Sequence, residues 1–332
     1  MAVCGTIHNV AIRGMACAVP RKRVDNSGFS ATLGDEQMTK FEKMVGVVER
    51  RAAEVDETTA DLAFKAAKKL QDAGCWSQDD VDAVLFVTQT PNHVLPATAC
   101  DLQNRLGVKH GAVAFDVNLG CSGFVYGVFT GASLLQMEGV NKVLLLGGDT
   151  ISKLTSPVDA GSAPLFGDAG FATVLAKSSD ASPMHYAFMT DGSGAKAIAA
   201  EPGGRLAMDG MDVFNFTINE VPALIKDQML RIGITPELID YLVLHQANRF
   251  VLKQVAMMTG FPMKKVPVSM DRYGNTSSAS IPITLCDMKA KDVFLATKRV
   301  LMSGFGVGLS WGTLVMDFDF NICLGIADGD DR

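Results

Sequence analysis

Three side chains that lie far apart in the sequence could together carry out nucleophilic catalysis on a carbonyl group: Cys121, His245 and Asn275. Cys121 follows a β-like run and precedes a segment of small residues, which predicts a strand-to-helix turn with the cysteine near the helix N-terminus. The helix dipole and the unpaired backbone N–H groups there favour a thiolate and lower the pKa of the thiol. Most cysteines are small buried hydrophobes, and position alone leaves that alternative open.

His245 and Asn275 come from the second half of the chain. His245 follows the apolar run Tyr241–Leu244, so it lies where a strand would leave the sheet and face a cleft. Asn275 lies in a turn that precedes a helical pattern, where an asparagine is more often a helix cap than a catalytic group. Each residue has an ordinary structural explanation by itself, but a Cys/His/Asn set at strand ends could be gathered in one cleft.

A glycine-rich segment from Gly304 to Gly312 (GFGVGLSWG) is the fourth candidate element. Its glycines would allow backbone N–H groups to point at an oxyanion that develops during a reaction. Alternatively, the segment forms only a tight hairpin within the core. Both interpretations stay open at this stage.

The elements that must position these residues follow an α/β pattern, because apolar β-rich runs alternate with longer helical patterns. Buried strands are predicted at 81–88, 113–117, 142–147 and 172–175. A helix is predicted over 58–73, with Gly74 at its C-cap. The uncharged segment 119–137 is long enough to cross a membrane, but its four glycines favour a helix buried in a large core.

The sequence contains a weak internal repeat. Near Asp82 and again near Asp240, a helical pattern ends at a glycine, a short turn follows, and the aspartate opens a buried strand. Residues 120–123 and 274–277 form a second matching pair at a similar spacing. Two such matches predict a duplicated α/β unit.

The duplicated units are predicted to be an N-terminal half, 1–176, and a C-terminal half, 177–332. The periodicity breaks over 176–183, which sets this boundary. Loops from both halves would face one cleft across a pseudo-two-fold axis. The glycine-rich stretch 191–210 is predicted to be a surface excursion.

The composition is that of an ordinary globular chain: 332 residues, 48% hydrophobic and 20% charged, with a net charge of −6. No long basic run is present, which argues against a nucleic-acid surface. Seven scattered cysteines without a C-x-x-C spacing, and five histidines without ligand spacing, predict neither a metal site nor a redox pair. The cysteine usage and the lack of a visible signal peptide predict a cytoplasmic protein.

Taken together, several segments resemble the β-ketoacyl-acyl-carrier-protein synthase III family. The resemblance runs in order from about residue 10 to 318, which is nearly the whole chain. The segments that show it are 115–127 (FDVNLGCSGFVYG), 245–248 (HQAN), 273–282 (YGNTSSASIP), 304–308 (GFGVG), 49–51 (ERR), 90–92 (TPN), 165–170 (LFGDAG) and 208–214 (MDGMDVF). A papain-like Cys/His/Asn protease shares the residue types but none of this context.

The resemblance implies a thiolase-like α/β fold, in which two pseudo-symmetric halves form a five-layered αβαβα core, and it implies a homodimer. It also implies two half-reactions. In the first, the Cys121 thiolate takes the acyl group from an acyl thioester and releases the thiol carrier. In the second, a malonyl thioester loses CO₂ and its carbanion attacks the acyl enzyme, while His245 and Asn275 donate hydrogen bonds to the thioester oxygen.

The resemblance also implies binding positions. The backbone N–H groups of Cys121 and Val307, with Gly306 beside them, match the family's oxyanion hole for the acyl carbonyl. Three residues match the lining of the acyl pocket: Leu95, Phe166 and Met208. Of these, Leu95 matches the position that reaches into the pocket of the partner subunit.

Two departures from the family pattern concern the donor of the acyl group. Many members hold the adenine of coenzyme A between a Trp and an Arg, but 35–47 contains no tryptophan, and Met44 replaces the arginine. The basic helix that docks the acyl carrier protein is also thin, because only Arg249 and Lys253 remain and two methionines follow. These departures bear on the choice of donor and not on the condensing chemistry.

The sequence therefore predicts an acyltransferase of fatty acid or related lipid or polyketide biosynthesis. It would condense an acyl primer, bound to coenzyme A or to acyl carrier protein, with malonyl-acyl-carrier-protein through an acyl-Cys121 intermediate. These phosphopantetheine thioesters are substrates, and no resident cofactor, metal, nucleic acid or membrane partner is predicted. Two alternatives stay open: a same-fold acyltransferase that passes the acyl group to an O, N or non-malonyl carbon nucleophile, and a non-catalytic heterodimer partner.

Overall fold

Two large β-sheets, each with helices packed on both faces, build the protein. A computed structural model describes residues 1–27, 34–156, 159, 161–201, 203–292 and 294–328. The strands are β1 (Val3–Ile7), β2 (Val10–Val19), β3 (Arg23–Asp25), β4 (Glu49–Arg51), β5 (Ala83–Val87), β6 (Val113–Val117), β7 (Lys142–Asp149), β8 (Ala169–Lys177), β9 (Met184–Thr190), β10 (Ile198–Ala199), β11 (Ala207–Met208), β12 (Tyr241–Leu244), β13 (Thr297–Gly306), β14 (Ser310–Asp319) and β15 (Cys323–Asp328). The α-helices are α1 (Asp35–Val45), α2 (Thr59–Asp72), α3 (Thr98–Arg105), α4 (Gly123–Leu134), α5 (Gly210–Arg231), α6 (Arg249–Thr259), α7 (Met270–Tyr273) and α8 (Ser280–Lys291).

The order of the strands explains how the candidate residues come together. The first large sheet has the order β15-β2-β8-β7-β5-β6, and β5 pairs in parallel with both β6 and β7. The second has the order β1-β9-β14-β13-β12, and β12 pairs in parallel with β13. Cys121 follows β6 and His245 follows β12, so the carboxyl end of one strand in each sheet leads to a candidate residue.

Three hydrophobic clusters define five layers. The central cluster packs α4 and α8, through Phe124 and Leu285, between the facing surfaces of the two large sheets. A second cluster, which includes Leu62 of α2, covers the outer face of the first sheet. A third, which includes Ile225 of α5 and Leu252 of α6, covers the outer face of the second sheet. The predicted thiolase-like α/β fold with an αβαβα core is confirmed.

The segment 119–137 forms the central helix α4, whose buried face lies between the two large sheets. Its small residues allow close packing on the first sheet, since side chains of β5, β7 and β8 approach Gly127 and Gly131. The interpretation as a buried core helix is therefore confirmed. In the part of the chain that the structure describes, no helix has the length and apolarity needed to cross a membrane.

The internal repeat is visible in the hydrogen bonds of its two aspartates. The carboxylate of Asp82, before β5, accepts from the backbone N–H of Lys142 at 3.2 Å, and that of Asp240, before β12, accepts from Arg299 N–H at 2.8 Å. Each aspartate also donates its own N–H to the carbonyl of the same partner residue, at 2.9 Å in both cases. The two aspartates therefore start equivalent parallel strand pairs, β5 with β7 and β12 with β13.

Two strands cross the predicted boundary between the halves. β1 pairs with β9 and joins the second sheet, whereas β15 pairs with β2 and joins the first sheet. The division into 1–176 and 177–332, which falls at the end of β8, stays a prediction. Each sheet nevertheless contains one strand from the opposite end of the chain.

The local predictions differ mainly at element ends. The strands predicted at 113–117 and 241–244 are observed with those bounds, whereas the strand predicted at 172–175 extends to Ala169–Lys177. In the helix predicted over 58–73, Thr58 is the N-cap and forms a capping box with Asp61. The stretch 191–210 is more than a surface excursion, because its β10–β11 hairpin brings Ile198 into the wall of a cavity.

Candidate active site

A cavity of about 280 Å³ has Cys121, His245 and Asn275 in its wall. All three side chains are buried, with exposed fractions of 8%, 1% and 7%. The first follows a strand of the first sheet, and the other two come from the second half of the chain. The structure therefore brings together the three residues that the sequence analysis placed in one cleft.

Cys121 lies in the turn between β6 and α4. The turn is closed by the Gly123 N–H, which donates to the Gly120 carbonyl at 2.6 Å. Burial, together with the negative charge of Asp149, raises the pKa of the Cys121 thiol to about 11. Backbone N–H groups of Val307 and of Cys121 itself, and the Ser277 hydroxyl, act in the opposite direction but do not outweigh burial. The expectation of a lowered thiol pKa is therefore wrong, because the loss of water exceeds the effect of the donors.

The glycine-rich segment 304–312 is both a hairpin and a part of the cavity wall. It joins β13 to β14, and the Ser310 hydroxyl donates to the Val307 carbonyl at 2.8 Å within the turn. Gly306 has a φ of +153°, and a Cβ there would lie 2.6 Å from the Cys121 Cβ and 3.0 Å from its sulfur. A side chain at Gly306 would therefore displace the thiol, and only glycine allows the hairpin to approach it this closely.

His245 is held as a neutral imidazole directly after β12. Its Nδ1 lies 2.8 Å from the Ser280 hydroxyl oxygen, and the Phe305 ring meets the imidazole edge-on at 5.5 Å. Burial lowers the pKa of His245 to about 3, because a charged imidazolium would lose its hydration in the core. At neutral pH the ring can therefore act as an uncharged hydrogen-bond donor or acceptor.

Asn275 is fixed by its backbone and by its amide oxygen. Its N–H donates to the Leu165 carbonyl at 2.8 Å, and its carbonyl accepts from the Gly167 N–H at 3.0 Å. The side-chain Oδ1 accepts from the Ser277 N–H at 3.0 Å. Because the amide oxygen is occupied in this way, the NH₂ group is the part of the side chain available to donate into the cavity.

Two polar residues at the site received no individual role from the sequence: Ser277 and Asp149. Ser277 lines the cavity beside Cys121 and has a φ of +50°, which is unusual for a residue with a side chain. Asp149 ends β7 and is fully buried. The only sequence signal was an aspartate at the end of a long apolar run, LLLGGD, which marks a buried charge near a strand end.

The predicted pocket residues fall into two groups. Phe166 and Met208 line the cavity, with other apolar side chains that the sequence analysis did not single out: Ile151, Leu154, Leu165, Ile198, Leu206 and Phe214. Leu95 is 80% exposed and is not part of this wall. Its predicted reach into a partner's pocket stays a prediction.

The helix α6 lies beside the cavity, to which Val251 contributes. Asn248 caps the helix by accepting from the Val251 N–H at 2.8 Å. Lys253 is exposed, whereas Arg249 is half-buried and packs on Gly46. A Cβ added at Gly46 would lie only 2.8 Å from the Cβ of Arg249. We refer to the solvent-facing surface of Phe250, Lys253, Met257 and Met258, with Arg249, as the α6 surface.

No group of His, Cys, Asp or Glu in the described residues could hold a metal ion. The titratable groups that line the cavity are Cys121 and His245, with Asp149 buried behind Ser277. The set thus consists of a nucleophile, two neutral side chains with hydrogen-bonding capacity, and backbone N–H groups at the sulfur. This set is suited to acyl transfer through a thioester on Cys121, in which the donors stabilise developing oxyanions.

Comparisons with known proteins identify the same chemistry. Residues 115–192 match the family described as 3-Oxoacyl-[acyl-carrier-protein (ACP)] synthase III, and residues 229–318 match its C-terminal part. The chain is 31% identical over 343 residues to the Beta-ketoacyl-[acyl-carrier-protein] synthase III of Rhodopirellula baltica, covering 93% of this chain and 98% of that protein. It is 34% identical over 316 residues to the synthase III 1 of Bacillus cereus, with coverages of 93% and 98%.

Solved structures are similar over nearly the full length. The 3-oxoacyl-(acyl-carrier protein) synthase from Burkholderia xenovorans LB400 superposes with a TM-score of 0.95 at 36% identity, covering 98% of this chain and 99% of that one. The priming beta-ketosynthase of the R1128 polyketide pathway superposes with a TM-score of 0.84 at 25% identity, covering 94% and 98%.

Proposed function

This chain belongs to the β-ketoacyl-[acyl-carrier-protein] synthase III family, and on that premise we propose that its cavity joins an acyl thioester primer to a malonyl thioester through an acyl group held on Cys121. The chain is an acyltransferase of fatty acid or related biosynthesis. The observation that most directly supports the assignment of residues is the burial of Cys121, His245 and Asn275 in one cavity, with the Val307 N–H at the sulfur.

In the first half-reaction, Cys121 attacks the acyl thioester. The carbonyl oxygen becomes an oxyanion, and the backbone N–H groups of Cys121 and Val307 would stabilise it. Two features support this role: both N–H groups already point at the sulfur, and Gly306 leaves room for an acyl group beside it. The thiol of the donor is then released, and the acyl chain extends between Phe166 and Met208.

In the second half-reaction, a malonyl thioester loses CO₂ and leaves an enolate, whose carbon attacks the acyl enzyme. The enolate oxygen would accept hydrogen bonds from His245 and Asn275. For His245 we assign the tautomer in which the Ser280 hydroxyl donates to Nδ1 and Nε2–H faces the substrate. For Asn275, the occupied amide oxygen supports donation by the NH₂ group. Both donors are uncharged and buried, so they suit a negative charge that develops during the reaction.

We assign acyl carrier protein as a partner that docks on the α6 surface. Arg249 and Lys253 form no ion pair with another described residue, so their charges are available to an acidic partner. Apolar side chains adjoin them, because the Phe214 and Phe250 rings stack at 5.6 Å and Phe250 is exposed. This mixture favours a carrier that binds through few charges.

We also assign a homodimer and a cytoplasmic location. β6 is an edge strand of the first sheet, and an unpaired edge is a ready site for pairing with a second chain. Val94 and Leu95 are almost fully exposed apolar residues, which supports their burial against a partner. The cysteines are free thiols, which is typical of a reducing compartment.

Intact-protein mass spectrometry tests the acyl-enzyme step. The protein is incubated with acyl-CoAs and acyl-carrier proteins of different chain lengths, beside Cys121→Ala and the exposed-cysteine control Cys100→Ala. One acyl adduct on the wild type and on Cys100→Ala, absent from Cys121→Ala, is the expected result, and it identifies the donor and chain. An adduct that persists in Cys121→Ala would overturn the assignment of the nucleophile.

Release of labelled CO₂ tests the acceptor. Malonyl carrier labelled in its free carboxyl group should release CO₂ in step with product formation. Normal acylation of Cys121 without CO₂ release would favour transfer to an oxygen, nitrogen or non-malonyl carbon nucleophile instead. No adduct from any donor would favour a non-catalytic partner subunit.

A further inference from the structure

Ser277 contacts all three of the residues proposed to do the chemistry. Its N–H donates to the Asn275 amide oxygen at 3.0 Å, and its backbone meets the His245 ring. Its hydroxyl reaches the Cys121 thiol. The residue is 2% exposed and has a positive φ of +50°, an uncommon conformation that places these groups toward three different side chains.

Behind Ser277 lies Asp149, a fully buried carboxylate that none of the steps above uses. One oxygen accepts from the Gln89 N–H at 2.7 Å and from Thr88 Oγ1 at 3.1 Å, in the loop after β5. The other accepts from the Ser278 hydroxyl at 3.2 Å, and the Ser277 hydroxyl also reaches this carboxylate. Asp149 forms no ion pair with a described residue. The groups that contact Asp149, from the loop after β5 and from the turn at 277–278, are thus hydroxyls and backbone amides.

The acyl-transfer step needs an acceptor for the proton of the Cys121 thiol, because burial keeps that thiol protonated at neutral pH. His245 is a poor acceptor, since burial lowers its pKa to about 3. Burial has the opposite effect on a carboxyl and raises the pKa of Asp149. Cys121 and His245 are the titratable groups in the cavity wall, and both contact Ser277.

Charge conservation also favours Asp149 over His245 as the proton acceptor. Transfer from a neutral thiol to an ionised carboxylate leaves one negative charge in the buried site before and after the step. Transfer to the neutral imidazole would instead separate charge between two buried groups, because it creates a thiolate and an imidazolium. The first transfer therefore avoids a desolvation cost that the second incurs.

We propose that Ser277 and Asp149 form a proton-holding pair, in which the Ser277 hydroxyl passes the proton of the Cys121 thiol to the Asp149 carboxylate as the sulfur adds to the acyl thioester. The S–H bond breaks, the C–S bond to the acyl carbon forms, and Asp149 becomes a neutral acid. When the donor thiolate leaves, the proton returns through Ser277 and forms the free thiol of the donor. This inference rests on the acyl-transfer role of Cys121 proposed above.

The proposed pair predicts that Asp149→Asn changes alkylation and acylation of Cys121 in opposite directions, which a purely structural role would not produce. Asp149→Asn removes the charge that opposes thiolate formation, so iodoacetamide should alkylate Cys121 faster at pH 8 than in the wild type. The same variant lacks the acceptor, so acylation by the identified thioester should be slower, by on the order of a hundredfold. Ser277→Ala should slow both reactions, because it loses the hydroxyl that favours the thiolate and relays the proton.

Two matched controls isolate the pair. Ser278→Ala removes a hydroxyl that also contacts Asp149 but should leave the pH midpoint of alkylation unchanged. Asp168→Asn removes another buried carboxylate, which the Ala53 and Ser152 N–H groups hold at 2.8 and 2.9 Å, and should leave the ratio of alkylation to acylation unchanged. If Ser278→Ala reproduces Ser277→Ala, the contact of Ser277 with the thiol is not used.

The wild type supplies a test that needs no variant to fold. Its acylation rate should fall at low pH as Asp149 becomes protonated, with a midpoint above the ordinary aspartate value. A flat acid limb would overturn the proposal, as would an Asp149→Asn variant in which acylation accelerates together with alkylation. A wild type that forms no acyl adduct at all would instead count against the proposed function, whatever the alkylation profile.

Discussion

Two neighbouring regions of the molecule differ in burial. One is the α6 surface, and the other is the group of Cys121, His245 and Asn275 in the cavity wall, which we call the floor of the cavity. On the floor, Cys121, His245 and Asn275 are buried; His245 and Asn275 each form a hydrogen bond, and Gly306 lies close to Cys121. On the α6 surface, Met257 is 68% exposed, and the two basic residues form no ion pair with a described residue. If the proposed roles hold, the reaction would depend on the geometry of buried residues, whereas the choice of acyl donor would depend on an exposed surface that single substitutions can change.

Cys121→Ala should produce the largest effect on the floor. Acylation by any donor should disappear, because no other thiol lies against the Val307 N–H. Decarboxylation of malonyl carrier should survive, since His245 and Asn275 remain in place. Mass spectrometry and CO₂ release measure the two activities separately. Loss of both activities in a folded variant would contradict the assignment of acylation to Cys121 and of decarboxylation to His245 and Asn275.

His245→Ala and Asn275→Ala should have the next largest effect. Each removes one donor from the enolate oxygen, so condensation should fall on the order of a hundredfold or more. Acylation should be kept, because the oxyanion of that step is stabilised by backbone N–H groups. Single-turnover acylation beside steady-state condensation measures both. Equal losses in the two steps would contradict separate oxyanion sites.

Changes on the α6 surface should be smaller and should alter binding alone. Lys253→Ala, and Arg249→Ala at the half-buried position, should each raise the KM for an acyl carrier protein by roughly two- to fivefold, as expected for charges that are not fully buried, with kcat unchanged. Met257→Lys should lower that KM and make it more dependent on salt. A change in kcat from any of these three variants would show that the surface and the floor are coupled.

The smallest change is expected when the pH is varied, because the decarboxylation rate should not depend on pH near neutrality. The lowered pKa of His245, about 3, means that the imidazole stays neutral until the pH falls close to that value. The decarboxylation rate of the wild type should therefore stay level between about pH 8 and pH 5, without a step near the ordinary histidine pKa of about 6.5. Labelled CO₂ release across this range measures it, and a midpoint near 6.5 would show that His245 acts as a charged group.

The sequence predicted the residues of the floor better than their environment. Cys121 and His245 could be found because each follows an apolar run that bounds a strand. The raised pKa of Cys121 could not, since it results from burial by a hairpin at Gly306 that is distant in sequence. Ser277 was missed because its φ of +50° and its contacts depend on packing against β7.

The fold shows the same division between local and distant information. Strands such as β6 and β12 were predicted to the residue because local apolar runs mark their ends. The sheet to which a strand belongs could not be predicted from local patterns. β1 and β15 each pair with a sheet made mostly by the other half, and no local pattern specifies that pairing.

This exchange of strands has a consequence for the order in which the protein can be made. The sheet that leads to Cys121 has β2 next to its edge, and β2 finds its outer partner only in residues 323–328. During synthesis on a ribosome, that edge stays open until nearly the whole described chain has emerged. Cys121, the proposed nucleophile, can therefore reach its final environment only after translation of the second half. A chain stopped early would expose an unpaired strand instead of forming half an enzyme.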